Sequence, residues 1–109
     1  MSRYFPAPAE CGQHTLFGCV DARTYAGDHL QLSLVDIPPG GVVEWHSHPH
    51  EQIGMVIDGT ATFYIGDEAK DLGPGDFYLM PGGVPHRVVA HDKPVRALDV
   101  FHPPRHEYR

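Results

Sequence analysis

The chain has 109 residues, enough for one hydrophobic core and too few for two. With 41% hydrophobic and 20% charged residues it has the make-up of an average globular domain, which excludes a disordered or fibrous class. Eight Lys and Arg against fourteen Asp and Glu give a formal charge of −6 with no basic patch to offset it, so neither nucleic acid nor a membrane surface is an expected partner.

In chain order, the opening "MSRYFPAPAECG" lacks the apolar segment of a secretory signal, and no later run approaches the roughly 18 apolar residues that span a bilayer. A cytoplasmic protein is expected. Cys11 and Cys19 form neither a disulfide framework nor a C-x-x-C motif, and are expected as buried free thiols. "HLQLSLVDI" (29–37) alternates, with Leu30, Leu32 and Leu34 on one parity and Gln31 and Ser33 on the other, the period of a half-buried strand that stops at "PPGG". "VVEWH" follows. "QIGMVIDG" and "TATFYIGD" are β-rich runs joined by Asp58-Gly59, a dipeptide suited to a tight hairpin turn. "DFYLMP", "HRVVAH" and "VRALDVF" complete the series, each bounded by turn-forming residues. No segment has a 3.6-residue period, so an all-β sandwich or barrel is expected, with a jelly-roll barrel the best fit.

The densest polar stretch is "HSHPHEQIG" (46–54). His46 and His48, two apart, would present their rings to one face of a strand, as two ligands of one metal ion require. An extended chain would carry residue 52 roughly 20 Å beyond residue 46, so a third ligand needs a change of direction. Pro49 supplies it, and a strand starting at Gln52 would return alongside the first. His50 and Glu51 would occupy the corner as rim groups, while His14, His29, His91, His102 and His106 read as surface residues.

These residues resemble the two motifs of the cupin superfamily. The first, G-x5-H-x-H-x3-E-x6-G, is matched by Gly40, His46, His48, Gln52 and Gly59, with Gln where Glu is usual. The second, G-x5-P-x-G-x2-H, is matched by Gly75, Pro81, Gly83 and His86, and its final Asn is Ala90 here. The resemblance implies one cupin domain over residues 1–109, with motifs at 40–59 and 75–90 and a closing strand and tail at 95–109. It also implies that His46, His48, Gln52 and His86 bind one divalent metal ion: Zn, Ni, Fe or Mn. A neutral carboxamide ligand leaves the ion its full charge, which favours Lewis-acid chemistry over oxygen activation.

If His46, His48 and Gln52 face inward, so do Gly54 and Val56, while Ile53, Met55 and Ile57 face outward along with Val43 and Trp45. That apolar outer face predicts a homodimer. In the tail, Asp99 and Phe101 share one parity and Leu98 and Val100 the other, so an outward Leu98 and Val100 would put Asp99 and Phe101 in the pocket. The pattern of Asp99, Phe101, Pro103 and Arg105 behind a Gln-containing metal motif is similar to the KdgF proteins of pectin and alginate breakdown. That resemblance implies conversion of 4,5-unsaturated monouronates to linear keto-uronates, with Asp99 catalytic and Phe101 and Arg105 binding the sugar acid. The competing readings are an Fe(II)-dependent dioxygenase, another metal-dependent lyase, isomerase or cyclase, and a non-catalytic sugar-binding module.

Overall fold

The computed structural model describes residues 4–109. After a single 3-10 turn at Pro8–Glu10 come ten strands: β1 (Gly12–Leu16), β2 (Val20–Ala26), β3 (Gln31–Ile37), β4 (Val42–His46), β5 (Glu51–Asp58), β6 (Ala61–Ile65), β7 (Glu68–Leu72), β8 (Phe77–Met80), β9 (His86–Ala90) and β10 (Val95–His102). A second 3-10 turn, His106–Tyr108, ends the chain. The strands form two antiparallel sheets, one in the order β1-β2-β3-β10-β5-β8 and the other β4-β9-β6-β7. The all-β expectation holds. No helix among the described residues is long and apolar enough to cross a membrane.

Three local expectations are corrected. The Asp58-Gly59 turn does not close a hairpin: β5 pairs with β10 and β8, β6 pairs with β7 and β9, and the corner carries the chain from one sheet to the other. Gly59 makes this corner possible with φ of 80° and no side chain to meet the Pro94 carbonyl. For the same reason β5 does not return alongside β4; it faces it from the opposite sheet. The two thiols are not buried, since Cys19 is exposed and Cys11 half-buried.

The larger sheet carries its polar residues inside. In β3 the alternation is present, but Gln31 and Ser33 are the buried parity and Leu32 is 45% exposed. Register extends this across the sheet, where Thr24, Ser33, Asp99, Gly54 and Tyr78 make one inward row and Gln31, Phe101, Gln52 and Met80 the next. The outward rows are apolar: Tyr25, Leu32, Val100, Ile53 and Leu79 line up across five strands. Leu34, Leu98, Met55 and Phe77 form a parallel row beside them.

Val43 and Trp45 depart from the expected outer face. Val43 packs against the core and pairs with Val88, because a bulge between Val43 and His46 shifts the parity of β4. Trp45 does face out, but on the smaller sheet, beside Tyr64.

The apolar core lies between the sheets around Val56, Ala61, Phe63, Leu72, Val88 and Val95. Val56 is completely buried. Val56→Ala removes two methyl groups from a filled interior and is expected to cost about 2 kcal/mol. Chemical denaturation would show it as a lower midpoint with an unchanged slope.

Candidate metal centre and its pocket

His46 ends β4, His86 begins β9 directly across the register, and His48 stands two residues beyond β4 at the corner. Their metal-binding nitrogens all lie within 4.8 Å of one another. His48 and His86 are buried and His46 is half-buried. Gln52 enters from β5 in the facing sheet, with Oε1 3.0 Å from His48 Nε2. The corner therefore brings the carboxamide to the imidazoles, although through the second sheet.

The protonation of the rings follows from their partners. Each histidine has Nδ1 against a backbone carbonyl: Glu44 at 2.8 Å for His46, His50 at 3.0 Å for His48, and Val84 at 3.0 Å for His86. A carbonyl only accepts, so each Nδ1 carries the proton and donates it. Burial holds all three imidazoles below the usual histidine range, His86 down to about 4, and the positive charge of Arg105 acts in the same direction. The rings are therefore neutral at pH 7, and each Nε2 is a bare lone pair. His46 Nε2 and His86 Nε2 stand 3.1 Å apart. Two acceptors at that distance repel unless a cation lies between them. Two ligands bound at the 2.0–2.1 Å usual for imidazole and zinc are separated by about 2.9 Å at a right angle and about 3.4 Å at the tetrahedral angle, a range that includes this spacing, so the cluster fits a divalent ion.

Asp99 lies within the same inward rows. It pairs with Gly54 in β5, which in turn pairs with Tyr78 in β8. Glycine leaves the space over the central strand open, and there the Tyr78 hydroxyl donates to Asp99 Oδ1 at 2.5 Å. A side chain at position 54 would collide with both partners. Asp99 also accepts a hydrogen bond from the Gln52 carboxamide, which turns the Gln52 oxygen toward His48. Burial lifts the Asp99 carboxyl to about 6, against these two hydrogen bonds that favour its charge. Burial pushes the Tyr78 hydroxyl upward too, so it remains a donor at neutral pH.

Arg105 reaches the pocket from the tail. Its guanidinium stacks on Tyr108 at 4.4 Å, lies 5.6 Å from the Phe101 ring centre and pairs with Glu107 at 3.2 Å. Phe101 is buried, with its ring edge-on to His48 at 5.6 Å. All of the expected site residues except His48 line one cavity, and His48 adjoins it through Gln52 and Phe101. His50 is half-buried with its ring 5.7 Å from that of His48, and Glu51 is exposed. Of the histidines read as surface groups, His29, His102 and His106 are exposed, while His91 is half-buried and bonded to Thr60 and Thr62. His14 is half-buried against Tyr108.

Tyr78, Gln31 and Phe17 also line the cavity and were not legible as site residues. Gln31, 1% exposed, fixes the tail by accepting from the Arg105 N–H at 2.8 Å and donating to the carbonyls of Arg105 and Tyr108. The parity of Gln31 was visible, but a polar residue on the buried side of a strand gives no local sign of its direction.

Two antiparallel sheets enclosing three imidazoles with bare lone pairs define a small β-barrel with a cluster that could hold a metal ion. Residues 33–101 match the cupin domain model, and the chain belongs to the cupin family. Among solved structures, KdgF from Halomonas sp. superposes with a TM-score of 0.84 at 26% identity, over 97% of this chain and 98% of that one. An RmlC-like cupin from Shewanella frigidimarina reaches 0.87 at 21% identity over 99% and 97%, a likeness of fold. Dimethylsulfoniopropionate lyase DddQ of Ruegeria pomeroyi is 37% identical over 75 residues, 68% of this chain and 37% of that protein. L-ectoine synthase of Rhodococcus erythropolis is 37% identical over 82 residues, 72% of this chain and 61% of that protein. The chain thus spans less than two thirds of the length of these curated relatives.

Elemental analysis of the purified protein is expected to find about one divalent ion per chain. His86→Ala should lose it, because only two imidazoles and a neutral carboxamide then remain; retention of a full equivalent would contradict the assignment.

Proposed function

We propose that this protein is a metal-dependent enzyme that opens and tautomerises a small unsaturated sugar acid, a 4,5-unsaturated monouronate, to a linear keto-uronate. The observation that carries the reading is the convergence of a fixed cation, Arg105, and a buried carboxylate, Asp99, on the cavity that holds the metal cluster. The likeness to KdgF over nearly the whole of both chains supports it.

His46, His48, Gln52 and His86 would hold the ion, which supplies Lewis-acid polarisation of a substrate oxygen. Arg105 binds the uronate carboxylate, and its stacking on Tyr108 and Phe101 fixes the direction of the fork. Phe101, buried between His48 and Arg105, supports that fork and lines the cavity where the sugar would bind. Asp99 takes the proton of the anomeric hydroxyl as the C1–O5 bond breaks. The electron pair leaves on O5 as an enolate, and the proton returns at C4 to give the ketone. No atoms are gained or lost. The Tyr78 hydroxyl holds Asp99 in place through the cycle.

A second reading, another lyase or cyclase acting on a small carboxylate, is favoured by the names of the curated relatives, a lyase and a synthase. The same Arg105 would hold that carboxylate. The two free thiols suit a reducing compartment, and we place the protein in the cytoplasm.

The outward rows of the larger sheet supply an association surface. Ile53 is 52% exposed and Leu79 49%, in a continuous apolar face of the kind that soluble monomers rarely leave uncovered. We assign it to a homodimer whose sheets pack face to face.

With the metal-loaded protein and 4,5-unsaturated monouronates, loss of the unsaturated chromophore is the expected activity. Asp99→Asn should lower kcat by roughly 10²-fold or more, and Arg105→Ala should raise KM about tenfold or more. Wild-type turnover retained in both variants contradicts the reading, whereas elimination or cyclisation of another carboxylate in place of uronate turnover selects the second. For the assembly, light scattering should give twice the chain mass, and Ile53→Glu should give a folded monomer.

A further inference from the structure

We infer that Phe17 is a specificity-determining residue, whose ring forms the wall of the pocket beside the metal ligand His46 and meets a single sugar-acid ring while excluding longer chains. The inference rests on the metal-dependent sugar-acid reading above. β1 and β2 are joined by a turn closed by a hydrogen bond from the Cys19 N–H to the Leu16 carbonyl, at 3.2 Å. Its two central residues, Phe17 and Gly18, both have positive φ, 52° and 79°. Such a turn is ordinarily built from Asn and Gly, because a bulky side chain in the left-handed region crowds its own backbone. Gly18 suits its place. Phe17 does not, and it is the one non-glycine residue with positive φ among those described.

Core packing does not account for this choice. Leu16, the residue before it, packs against the core, whereas Phe17 is 43% exposed. The ring contact it makes is with His46, at 5.1 Å between centroids and a tilt of 47°. It also lines the cavity shared by Asp99, Phe101 and Arg105. A ring held in an unfavourable backbone conformation, half out of the core and against a metal ligand, has the position of a group kept for what enters the pocket. Phe101 also lines the cavity but is only 7% exposed, packed between His48 and Arg105. The Phe17 ring offers more surface for stacking, because the apolar face of a pyranose matches an aromatic face. Its place beside His46 leaves less room for a second sugar unit.

Phe17→Asn separates the two consequences of this arrangement. Relief of the backbone should raise Tm by about 3–5 °C. At the same time kcat/KM on unsaturated monouronate should fall about tenfold or more, and the ratio of activity on unsaturated diuronate to monouronate should rise. Zinc-loaded Phe17→Asn protein should surrender its ion to a chelator several-fold faster than wild type, because the ring no longer covers His46. A lower Tm would make Phe17 a packing residue and overturn the inference. So would unchanged kcat/KM and substrate ratio, or an unchanged rate of zinc loss. If wild type turns over no uronate, the sugar-acid reading fails on its own account. The Tm and chelator measurements then still decide whether Phe17 is the strained wall of the metal pocket.

Discussion

The arrangement of this barrel turns on a repulsion. Three histidines each donate Nδ1–H to a carbonyl of the corner or strand end that carries them, which fixes the tautomer and aims every Nε2 lone pair inward. Two of those lone pairs face each other at 3.1 Å, and a third faces the Gln52 oxygen at 3.0 Å. Burial keeps the rings neutral, so protonation does not relieve the contact at neutral pH. The favourable solution is a shared cation. Everything that sets these angles, including the bulge in β4, the corner at Pro49 and the crossing of β5 into the facing sheet, serves to hold four acceptors around one point.

That requirement explains why the larger sheet is polar within. A sheet packed on an apolar core normally turns its apolar parity inward, but here Gln31, Ser33, Gln52 and Asp99 take the inner positions. Buried polar groups of this kind are costly unless bonded: Gln31 is bonded to the tail backbone, and Gln52 and Asp99 form one set with Tyr78. Tyr78 donates to Asp99, Gln52 donates to Asp99, and the Gln52 oxygen is left for the metal cluster. Gly54 is the space that lets the set close. The displaced leucines and isoleucines then appear on the outside, so the polar interior and the apolar exterior of the sheet have one cause.

Much of the site was legible because its spacing is local. His46, His48 and Gln52 lie within seven residues, and His86 stands at a fixed interval from a recognisable turn sequence. Strand parity put Ile53 outward and set Asp99 with Phe101 on one face, but it left open whether that pair turned inward, as it does. What depended on strand order was not legible. Asp58-Gly59 has the chemistry of a hairpin turn, and only the sheet pairing reveals that it joins two sheets. The strands β1, β2 and β7 were not singled out: "GQHTL" and "EAKDL" carry few of the residues that mark a buried strand, and both form sheet edges. Tyr78 meets Asp99 across a glycine on the strand between them, a relation between three strands that no interval in the sequence encodes.

The tail shows how the barrel converts a fold-level feature into a local one. Arg105 lies beyond the last strand, where a chain end would ordinarily be loosely held. It is nevertheless fixed, because the side chain of Gln31 satisfies the Arg105 N–H and reaches two tail carbonyls, while the Thr24 hydroxyl donates to the Tyr108 carbonyl. Gln31 is among the most deeply buried side chains in the molecule, and an apolar residue of equal volume would fill its place without anchoring anything. A wholly buried amide is therefore tolerated at the start of β3 because the backbone it binds carries the charge that faces the histidine cluster. The inward polarity of β3, which inverts the pattern its leucines suggest, follows from the need to position a guanidinium more than seventy residues further along the chain.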